Sequence, residues 1–251
     1  MNLNLSKKIA LVTGSSRGIG RSIAEALHAE GCQLVLNGRN ATDLAAVSAT
    51  LPGSLAIVAD MMRPEDVQRV VTEVLRKFGR LDVLVCNIGS GRSVPPGCET
   101  TEEWQRVFAH NLWSTTNTVE AAREALASSK GSIVCVSSIC GLEVIEGAPV
   151  TYSAAKAALH AYVRGIARPL GKQGVRINAV APGNIIFEGS VWAMKLVEDA
   201  LEVQAMLDKN VAIGRLGTPE EVASLVTYLA SPRAAFATGA IWTLDGGQVH
   251  A

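Results

Sequence analysis

Tyr152 and Lys156 form a pair whose residue types and spacing suit acid–base chemistry. They lie four positions apart in the stretch "TYSAAKAALHAYVRG", which is predicted to be helical, so their side chains share one helix face. A phenol with its ordinary pKa of about 10 is a poor proton donor at neutral pH, but a neighbouring ammonium stabilises the phenolate and lowers that pKa. A tyrosine and a lysine at this spacing are, by themselves, more often an ordinary helix face. The prediction therefore depends on the residues that accompany them.

A serine and an asparagine extend this set. Ser138 follows the apolar run "SIVCVS", at the carboxyl end of a predicted strand, where its hydroxyl is placed to donate a hydrogen bond to a bound ligand. Ser137 is an obvious competitor for that role. Asn111 stands within an apolar helical stretch, where an amide is unusual. A satisfied buried amide is the alternative interpretation of Asn111.

A phosphate-binding loop is indicated by the stretch "LVTGSSRGIG". Gly14, Gly18 and Gly20 lie between an apolar strand and an apolar helix, where a packed core has no need of glycine. Glycine permits a tight turn and a close backbone approach, and the following helix offers the free N–H groups of its N-terminus to a pyrophosphate. The spacing is GxxxGxG rather than the general dinucleotide pattern GxGxxG, and a purely structural turn is the alternative. The position of the loop after the first strand favours a nucleotide.

The elements that must position these residues alternate along the chain. Seven apolar runs of strand length are separated by stretches of helical period, and the runs are continuous, as in strands covered on both faces. Two helical stretches, 64–78 and 219–231, open with proline. This alternation predicts one α/β domain over residues 1–251, a doubly wound, seven-stranded parallel sheet of Rossmann type in three αβα layers. The predicted strands are 9–13, 33–37, 54–59, 82–87, 132–137, 176–181 and 241–244.

One stretch breaks this rhythm. Residues 184–210 contain no predicted strand and look helical and partly apolar. They follow the strand at 176–181, and ligands of open α/β sheets bind beyond the carboxyl ends of the strands. We therefore interpret residues 184–210 as a substrate lid, with a plain surface helical hairpin as the alternative.

Composition and charge exclude several classes of protein. Lysine plus arginine and aspartate plus glutamate each number 23, so the net charge is zero, which argues against nucleic acid as a partner. The N-terminal stretch shows no signal-peptide core, and no apolar run approaches the roughly 20 residues of a membrane span. The five cysteines form no CxxC pair and the four histidines are scattered. We therefore expect reduced thiols, a cytoplasmic location and no metal site.

Seven motifs resemble those of the short-chain dehydrogenase/reductase family, in order and at the usual spacings, across nearly the whole chain. They are "TGSSRGIG", "CNIG", "HN", "VSSICG", "YSAAK", "NAVAPG" and "LDGG". The resemblance implies hydride transfer between a nicotinamide cofactor and a carbonyl or secondary alcohol carbon. It implies Tyr152 as the acid or base and Lys156 as its partner, which also holds the nicotinamide ribose. The positive ring of the oxidised nicotinamide would act with the lysine to lower the phenol pKa. Ser138 would orient the carbonyl, since Gly141 makes it the better match, and Asn111 would kink its helix and hold a proton-relaying water.

The local charges, together with this resemblance, predict NADP(H) rather than NAD(H). An acidic residue at the end of the second strand accepts the ribose hydroxyls of NAD and repels the extra phosphate of NADP. Here Asn37 stands at that position, Arg39 follows, and Arg17 lies in the glycine loop, so two guanidiniums are available for a phosphate. Two solvated surface charges are the alternative.

Asp60 matches the family position that contacts the adenine amine. The predicted cofactor-binding residues are Gly14, Ser16, Arg17, Gly18, Ile19, Gly20, Asn37, Arg39, Asp60, Asn87, Gly89, Tyr152, Lys156, Pro182 and Gly183.

The sequence departs from the family pattern at four places. Cys86 and Ile88 replace the first asparagine and the alanine of the family's NNAG motif. Phe187 stands where the family's PGxxxT motif places a threonine on the nicotinamide carboxamide. The loop before the "YSAAK" motif is one residue longer than is common. Pro169 lies inside the helix that carries this motif, where we expect it to kink or end the helix.

The substrate stays open among small molecules that carry a carbonyl or an alcohol. The overall pattern is closest to reductases of 3-oxoacyl groups on acyl carrier protein, so a carrier- or CoA-linked 3-oxoacyl thioester is the first expectation. Glu143 and Glu146 in the predicted substrate loop disfavour a strongly anionic ligand there, and a cyclic or sugar-derived alcohol is the alternative. A catalytically idle NADP-binding sensor or scaffold is a rival from another class. By analogy with the family we expect a homotetramer or homodimer.

Overall fold

A fully parallel sheet forms the centre of the protein, whose computed structural model describes residues 2–250. Its strands are β1 (Ile9–Val12), β2 (Gln33–Gly38), β3 (Leu55–Val58), β4 (Val83–Cys86), β5 (Ser132–Val136), β6 (Arg176–Pro182) and β7 (Ile241–Leu244). Their order across the sheet is β3-β2-β1-β4-β5-β6-β7, so the chain starts in the middle and builds first one half and then the other. This order confirms the predicted doubly wound, Rossmann-type fold.

Nine α-helices in the described part of the chain connect and cover these strands. They are α1 (Gly18–Ala29), α2 (Ala41–Thr50), α3 (Pro64–Phe78), α4 (Thr101–Phe108), α5 (Ser114–Ser129), α6 (Val150–Gly171), α7 (Val191–Glu198), α8 (Ala200–Asn210) and α9 (Pro219–Ala230). Among residues 2–250, none of these helices combines the length and the apolarity of a membrane span.

Two apolar layers lie on opposite faces of the sheet. Within β1, Ile9 and Leu11 belong to the layer formed with α3, α5 and α6, whereas Ala10 and Val12 belong to the layer formed with α1, α2 and α9. Successive side chains of a strand point to opposite faces. A strand between two helical layers therefore needs apolar residues at every position, which explains the continuous apolar runs of the sequence.

Helix boundaries follow the local signals of the sequence. α3 begins at Pro64 and ends before Gly79, whose φ of 70° supplies the left-handed cap that glycine adopts without strain. α9 begins at Pro219, directly after a capping box. The predicted helices 64–78 and 219–231 are therefore confirmed to within one residue.

Pro169 does not end α6 at its own position, contrary to one of our two expectations. The helix continues for two further residues, to Gly171. A proline removes the hydrogen bond to the carbonyl four residues earlier, here that of Gly165. Gly165 is exposed, so its carbonyl is accessible to solvent, and the missing N–H leaves no buried acceptor without a partner.

The insertion at residues 184–210 contains α7 and α8, as its helical pattern predicted. The two helices have a small apolar cluster of their own, in which Val203, Leu207 and Val211 are buried and Trp192 packs against them. This cluster is separate from the two layers of the sheet. The insertion is thus a subsidiary unit placed beyond the end of β6.

Candidate active site

A cleft of 1280 Å³ lies at the carboxyl ends of the strands, where the sheet order reverses between β1 and β4. Ligands of open α/β sheets bind at this point, and the volume exceeds the roughly 300–1,000 Å³ of an ordinary small-ligand pocket. Every predicted site residue lines the cleft except Gly18 and Asn111, which lie just behind its wall. The lining set is Gly14, Ser16, Arg17, Ile19, Gly20, Asn37, Arg39, Asp60, Asn87, Gly89, Ser138, Tyr152, Lys156, Pro182 and Gly183.

The turn from β1 into α1 is closed so tightly that three of its positions require glycine. Gly14 and Gly18 have φ of 64° and 54°, in the left-handed region that other residues rarely adopt. At Gly20, a Cβ would overlap the Gly14 carbonyl oxygen and the Asn87 amide. The loop backbone therefore borders the cleft at the start of α1, where helix N–H groups are available to a ligand, and the Phe187 ring lies over it at Gly18.

Two asparagine amides hold this loop from behind. Asn87 donates from Nδ2 to the carbonyls of Thr13 and Gly14, each at 3.1 Å. Asn37 is fully buried and donates from Nδ2 to two carbonyls at the end of β3, at 3.3 and 3.2 Å, while its Oδ1 accepts from the Gly14 N–H at 3.4 Å. The Asn37 amide is thus committed to the protein's own backbone, and it shapes the loop.

The end of β2 carries the charge expected to select the cofactor. A Cβ on Gly38 would lie 3.3 Å from the Cβ of Ser16, so Gly38 faces the glycine loop at Ser16, whereas the buried Asn37 faces it at Gly14. The next residue, Arg39, is 63% exposed and its Nη1 lies 4.0 Å from Oδ2 of Asp60. An exposed pair at that distance is weak. The guanidinium is therefore available to a stronger anion.

Phe187 packs over the glycine loop. A Cβ on Gly18 would lie 2.5 Å from the Phe187 ring, and a Cβ on Gly189 would lie 3.6 Å from Nη1 of Arg17. The segment between β6 and α7 therefore rests directly on the loop. The phenylalanine that replaces the family's threonine gives this part of the cleft wall an apolar surface.

Tyr152 and Lys156 lie on one face of α6 and line the cleft. Nζ of Lys156 is 5.8 Å from the centre of the Tyr152 ring and donates to the carbonyl of Val136 at 3.1 Å. A Cβ on Gly89 would lie 2.9 Å from Nζ of Lys156 and 3.0 Å from Oδ1 of Asn111. The side chains of Lys156 and Asn111 therefore both pack against the backbone of Gly89, where an added Cβ would displace them.

Asn111 lies in a π-helical turn, Ala109–Trp113, between α4 and α5. Its Oδ1 accepts from the N–H of Ser90 at 2.9 Å, and its Nδ2 donates to the carbonyls of Ser90 and Val107 at 3.1 and 3.0 Å. Such turns are rare and occur frequently at functional sites. The amide is therefore satisfied by the backbone, and the helix is irregular at the position where the family resemblance implies a kink.

Ser138 lies beyond the end of β5, immediately before a short 3₁₀ turn, Ile139–Gly141. Its Oγ accepts from the N–H of Cys140 at 3.2 Å, and the residue lines the cleft. Ser137, its competitor, is engaged by α6, because its Oγ lies 2.7 Å from Nε2 of His160. Ser138 is thus the serine whose hydroxyl is placed beside the Tyr152 phenol.

Burial disfavours the phenolate form of Tyr152 and the ammonium form of Lys156. Desolvation raises the pKa of Tyr152 well above its ordinary value, and the neighbouring Ser138 side chain offsets part of that rise. Desolvation also lowers the pKa of Lys156 to about 8, which leaves the amine mostly protonated at neutral pH. The protein's own groups therefore leave the phenol pKa raised, and the predicted lowering depends also on the second charge that accompanies the lysine, the positive nicotinamide ring of the oxidised cofactor. Additional positive charge beside the phenol is needed for that.

A short-chain dehydrogenase family model, described as enoyl-(acyl carrier protein) reductase, matches residues 14–249 of the chain. The chain belongs to the short-chain dehydrogenase/reductase family. This short-chain dehydrogenase/reductase is accordingly an oxidoreductase that acts on carbonyl or alcohol groups with a nicotinamide cofactor.

Relatives of this short-chain dehydrogenase/reductase cover its whole length. The 3-oxoacyl-acyl-carrier-protein reductase of Synechocystis sp. is 35% identical over 252 residues, 98% of each chain. L-sorbose reductase from Gluconobacter frateurii, solved with NADPH and L-sorbose, has a TM-score of 0.94 and 30% identity over 100% of both chains. A 7α-hydroxysteroid dehydrogenase, solved with NADH and 7-oxo glycochenodeoxycholic acid, has a TM-score of 0.91 and 27% identity over 100% and 97%.

The residues of the cleft fit a nicotinamide dinucleotide. Gly14, Ile19 and Gly20 line the cleft where β1 turns into α1, so the start of this helix offers a cradle of backbone N–H groups to a pyrophosphate. Arg17 and Arg39 are exposed cations beside this cradle. The acid–base pair lies further along the same cleft. One cavity therefore offers a phosphate cradle and a proton donor, as dinucleotide-dependent carbonyl chemistry requires.

Sequence reasoning missed two contributors to this site. His160 follows Lys156 by four residues, as Lys156 follows Tyr152, so the helical period was a signal that pointed to it. The C-terminal tail also lines the cleft, and the N–H of His250 donates to a Glu143 carboxylate oxygen at 2.8 Å, which ties the tail to the substrate loop. No local pattern predicts this second contact, because the two residues are 107 positions apart.

The free energy of unfolding is expected to rise with pH between about 4 and 6.5 because of His160. Burial lowers the pKa of His160 to about 4 from an ordinary 6.5. In that window the unfolded chain binds a proton that the folded protein does not, so stability falls as the pH falls. One such group contributes up to about 3 kcal/mol. Urea unfolding of the wild type and of His160→Asn at several pH values checks this, and the variant should show the shallower slope. Equal slopes would contradict the assignment.

Proposed function

We propose that this enzyme interconverts a ketone and a secondary alcohol with NADP(H), using Tyr152 as general acid or base. The observation that carries the proposal is that Tyr152, Lys156 and Ser138 line the same cleft as the glycine cradle, with Asn111 directly behind. A positioned acid–base group next to a dinucleotide site is what carbonyl reduction requires. An idle NADP-binding sensor needs only the cradle, so the complete polar set argues against that rival.

Each residue has one task in the reducing direction. When bound, the nicotinamide supplies the hydride. Ser138 donates a hydrogen bond to the substrate oxygen and fixes its direction. Tyr152 gives its proton to the same oxygen as negative charge develops there. The Lys156 ammonium stabilises the phenolate that remains, and Asn111 holds the backbone beside that ammonium.

The cofactor of the proposal is NADP(H) rather than NAD(H). The two residues at the end of β2 that face the glycine loop are Asn37 and Gly38, so no carboxylate stands there to repel a phosphate. Arg39 is exposed next to it and has one weak ionic partner, and Arg17 is exposed on the loop itself. The solved relatives include one with NADPH and one with NADH, so the support for NADP(H) comes from the charges of this chain.

Replacement of Arg39 by alanine is expected to weaken NADPH binding by roughly ten- to hundredfold, because one charge-assisted hydrogen bond to the phosphate is lost. NADH lacks that phosphate, so its affinity should stay within about twofold. Fluorescence titration of both cofactors measures the two dissociation constants. Arg63→Ala is a matched control, since Arg63 is an exposed arginine paired with Glu65 outside the cleft. An equal loss for NADPH and NADH in Arg39→Ala would refute the phosphate assignment.

A 3-oxoacyl thioester is the first substrate of the proposal. The full-length similarity to a 3-oxoacyl-acyl-carrier-protein reductase supports it. Val144, Ile145, Trp192 and Met206 add apolar surface to the lining of the cleft, which suits an acyl chain. This substrate predicts a higher kcat/KM for longer acyl chains, since each buried methylene adds about 0.8 kcal/mol.

A sugar-derived or cyclic ketone is the second candidate, because polar groups also line the cleft. Glu143 and Glu146 contribute carboxylates to the lining. Gln248 also lines the cleft, and its Oε1 is buried without a hydrogen-bond partner among residues 2–250. An acceptor of this kind calls for a donor, which substrate hydroxyls supply. A panel of 3-oxoacyl thioesters, cyclic ketones and keto-sugars, compared by kcat/KM, distinguishes the two classes.

We further propose that residues 184–210 act as the substrate lid and that the enzyme is a homotetramer or homodimer. The lid proposal is supported by the contact at 3.7 Å between Nη2 of Arg92 and Sδ of Met194, which joins the lid to the loop after β4. Assembly is supported by the family and by the fully exposed Phe236 ring, which a second subunit would cover. Light scattering measures the assembly directly.

A further inference from the structure

A third residue continues the face of α6 that carries the proposed acid–base pair. Tyr152, Lys156 and His160 succeed one another at four-residue steps, and Lys156 and His160 are each 2% exposed. A buried histidine without a partner is costly, so its hydrogen bonds show what it does. The mechanism above leaves His160 without a task.

The ring of His160 makes two hydrogen bonds, both to the turn that carries Ser138. Nδ1 lies 3.1 Å from the carbonyl oxygen of Gly141. A carbonyl only accepts, so Nδ1 carries the ring proton. Nε2 lies 2.7 Å from Oγ of Ser137 and therefore accepts the hydroxyl proton of this serine. Burial lowers the pKa of His160 to about 4, which keeps the ring in this neutral form at physiological pH.

These two hydrogen bonds of His160 reach residues on either side of Ser138 in the sequence. One reaches the residue immediately before it, and the other reaches the residue three positions after it. The turn and the helix also touch directly, since a Cβ on Gly141 would lie 2.7 Å from Cε1 of His160 and 2.7 Å from the carbonyl carbon of Lys156. The helix that presents Tyr152 and Lys156 and the turn that presents Ser138 are thus joined through one imidazole.

We infer that His160 is a positioning residue, which sets the place of the Ser138 hydroxyl relative to the Tyr152 phenol by bridging Ser137 and Gly141. The inference rests on the proposed function, in which both hydroxyls act on one substrate oxygen. Two donors that serve one oxygen must be held within a fraction of an ångström. His160 touches neither substrate nor cofactor in this account, and it acts through Ser138.

His160→Leu removes both hydrogen bonds and keeps an apolar side chain in the core. We expect kcat and kcat/KM to fall together by roughly ten- to hundredfold, because the loss is in transition-state positioning. NADPH affinity should stay within about twofold, since the cradle is elsewhere in the cleft. His160→Asn keeps a donor near the position of Nδ1 and should recover part of kcat. His28→Leu, the same change in α1 outside the cleft, is the control and should match the wild type.

A double-mutant cycle separates positioning from plain core filling. If His160 acts through Ser138, then His160→Leu should lower kcat no further in a Ser138→Ala background. Additive losses of kcat, or a lower melting temperature with kcat within about twofold of the wild type, would overturn the inference. Should His160→Leu fail to fold, His160→Asn enters the same cycle and is judged by the same outcomes.

Crystal structures of the wild type and the variant give a readout that needs no turnover. The inference predicts that the turn Ile139–Gly141 moves away from α6 in His160→Leu and changes the distance between Oγ of Ser138 and Oη of Tyr152. An unchanged distance would overturn it. If the wild type reduces no ketone while the turn moves as expected, the proposed function fails and the structural bridge stands.

Discussion

Replacement of Tyr152 by phenylalanine is expected to lower kcat for ketone reduction by roughly 10²- to 10⁴-fold, the range of a general acid. Only the hydroxyl is removed, so the ring should keep its packing. The Tyr152 phenol is the hydroxyl placed beside Ser138 in the cleft, and its removal leaves the developing alkoxide without a proton donor. Initial rates of NADPH oxidation, with ketone and cofactor saturating, measure the effect. NADPH affinity should stay within about twofold of the wild type.

The control for this variant is Tyr228→Phe. Tyr228 lies in α9, on the other side of the sheet, and does not line the cleft. The same loss of one hydroxyl there should leave kcat unchanged. If Tyr152→Phe retains more than about a tenth of the wild-type kcat, another group donates the proton and the assignment of Tyr152 is wrong.

Replacement of Gly20 by alanine is expected to lower both the free energy of unfolding and the affinity for the cofactor. The new Cβ would overlap the Gly14 carbonyl oxygen, which is backbone and moves only with the whole loop. Overpacking of this kind costs about 1–3 kcal/mol of folding free energy. The displaced loop should also weaken NADPH and NADH binding by tenfold or more, which corresponds to roughly 1.4 kcal/mol. Urea unfolding and fluorescence titration measure the two effects.

Gly165→Ala is the matched control for Gly20→Ala. Gly165 lies in α6, is exposed, and has no atom within 4 Å of an added Cβ. Alanine is favoured over glycine in a helix interior, so this variant should be more stable than the wild type by up to about 1 kcal/mol. Cofactor affinity in Gly20→Ala equal to that of Gly165→Ala would show that the cradle does not depend on this glycine.

The sheet was predictable because its signals are local and repeated. Each strand is an apolar run bounded by polar or glycine residues, and the alternation with helical stretches leaves a doubly wound parallel sheet as the natural arrangement. The cleft followed from the same reasoning, since Gly20, Ser138 and Asp60 each come just after a strand or at the start of the next helix. Parallel strands bring all such positions to one edge of the sheet.

The parts that sequence reasoning did not reach depend on where a side chain points. Asn37 and Gly38 are neighbours at the end of β2, and only the direction of each Cβ shows that Asn37 is buried while Gly38 faces Ser16. The packing of the Phe187 ring over Gly18 brings together residues that are far apart in the sequence. The phenol pKa of Tyr152 depends on burial, which the Tyr–Lys spacing does not report. The general effect of proline on helices predicts a kink or an end at Pro169, but it does not predict that α6 continues for two residues beyond it.

The most direct test of the central claim follows the transferred hydrogen. Wild-type protein is incubated with NADPH that carries deuterium at both positions of nicotinamide C4, together with 3-oxoacyl thioesters, cyclic ketones and keto-sugars, and the products are analysed by mass spectrometry. We expect an alcohol with one deuterium on the new carbinol carbon, formed at least about a hundredfold more slowly by Tyr152→Phe. NADPH that binds tightly while its deuterium reaches none of these ketones would contradict the account and favour a cofactor-binding protein without turnover.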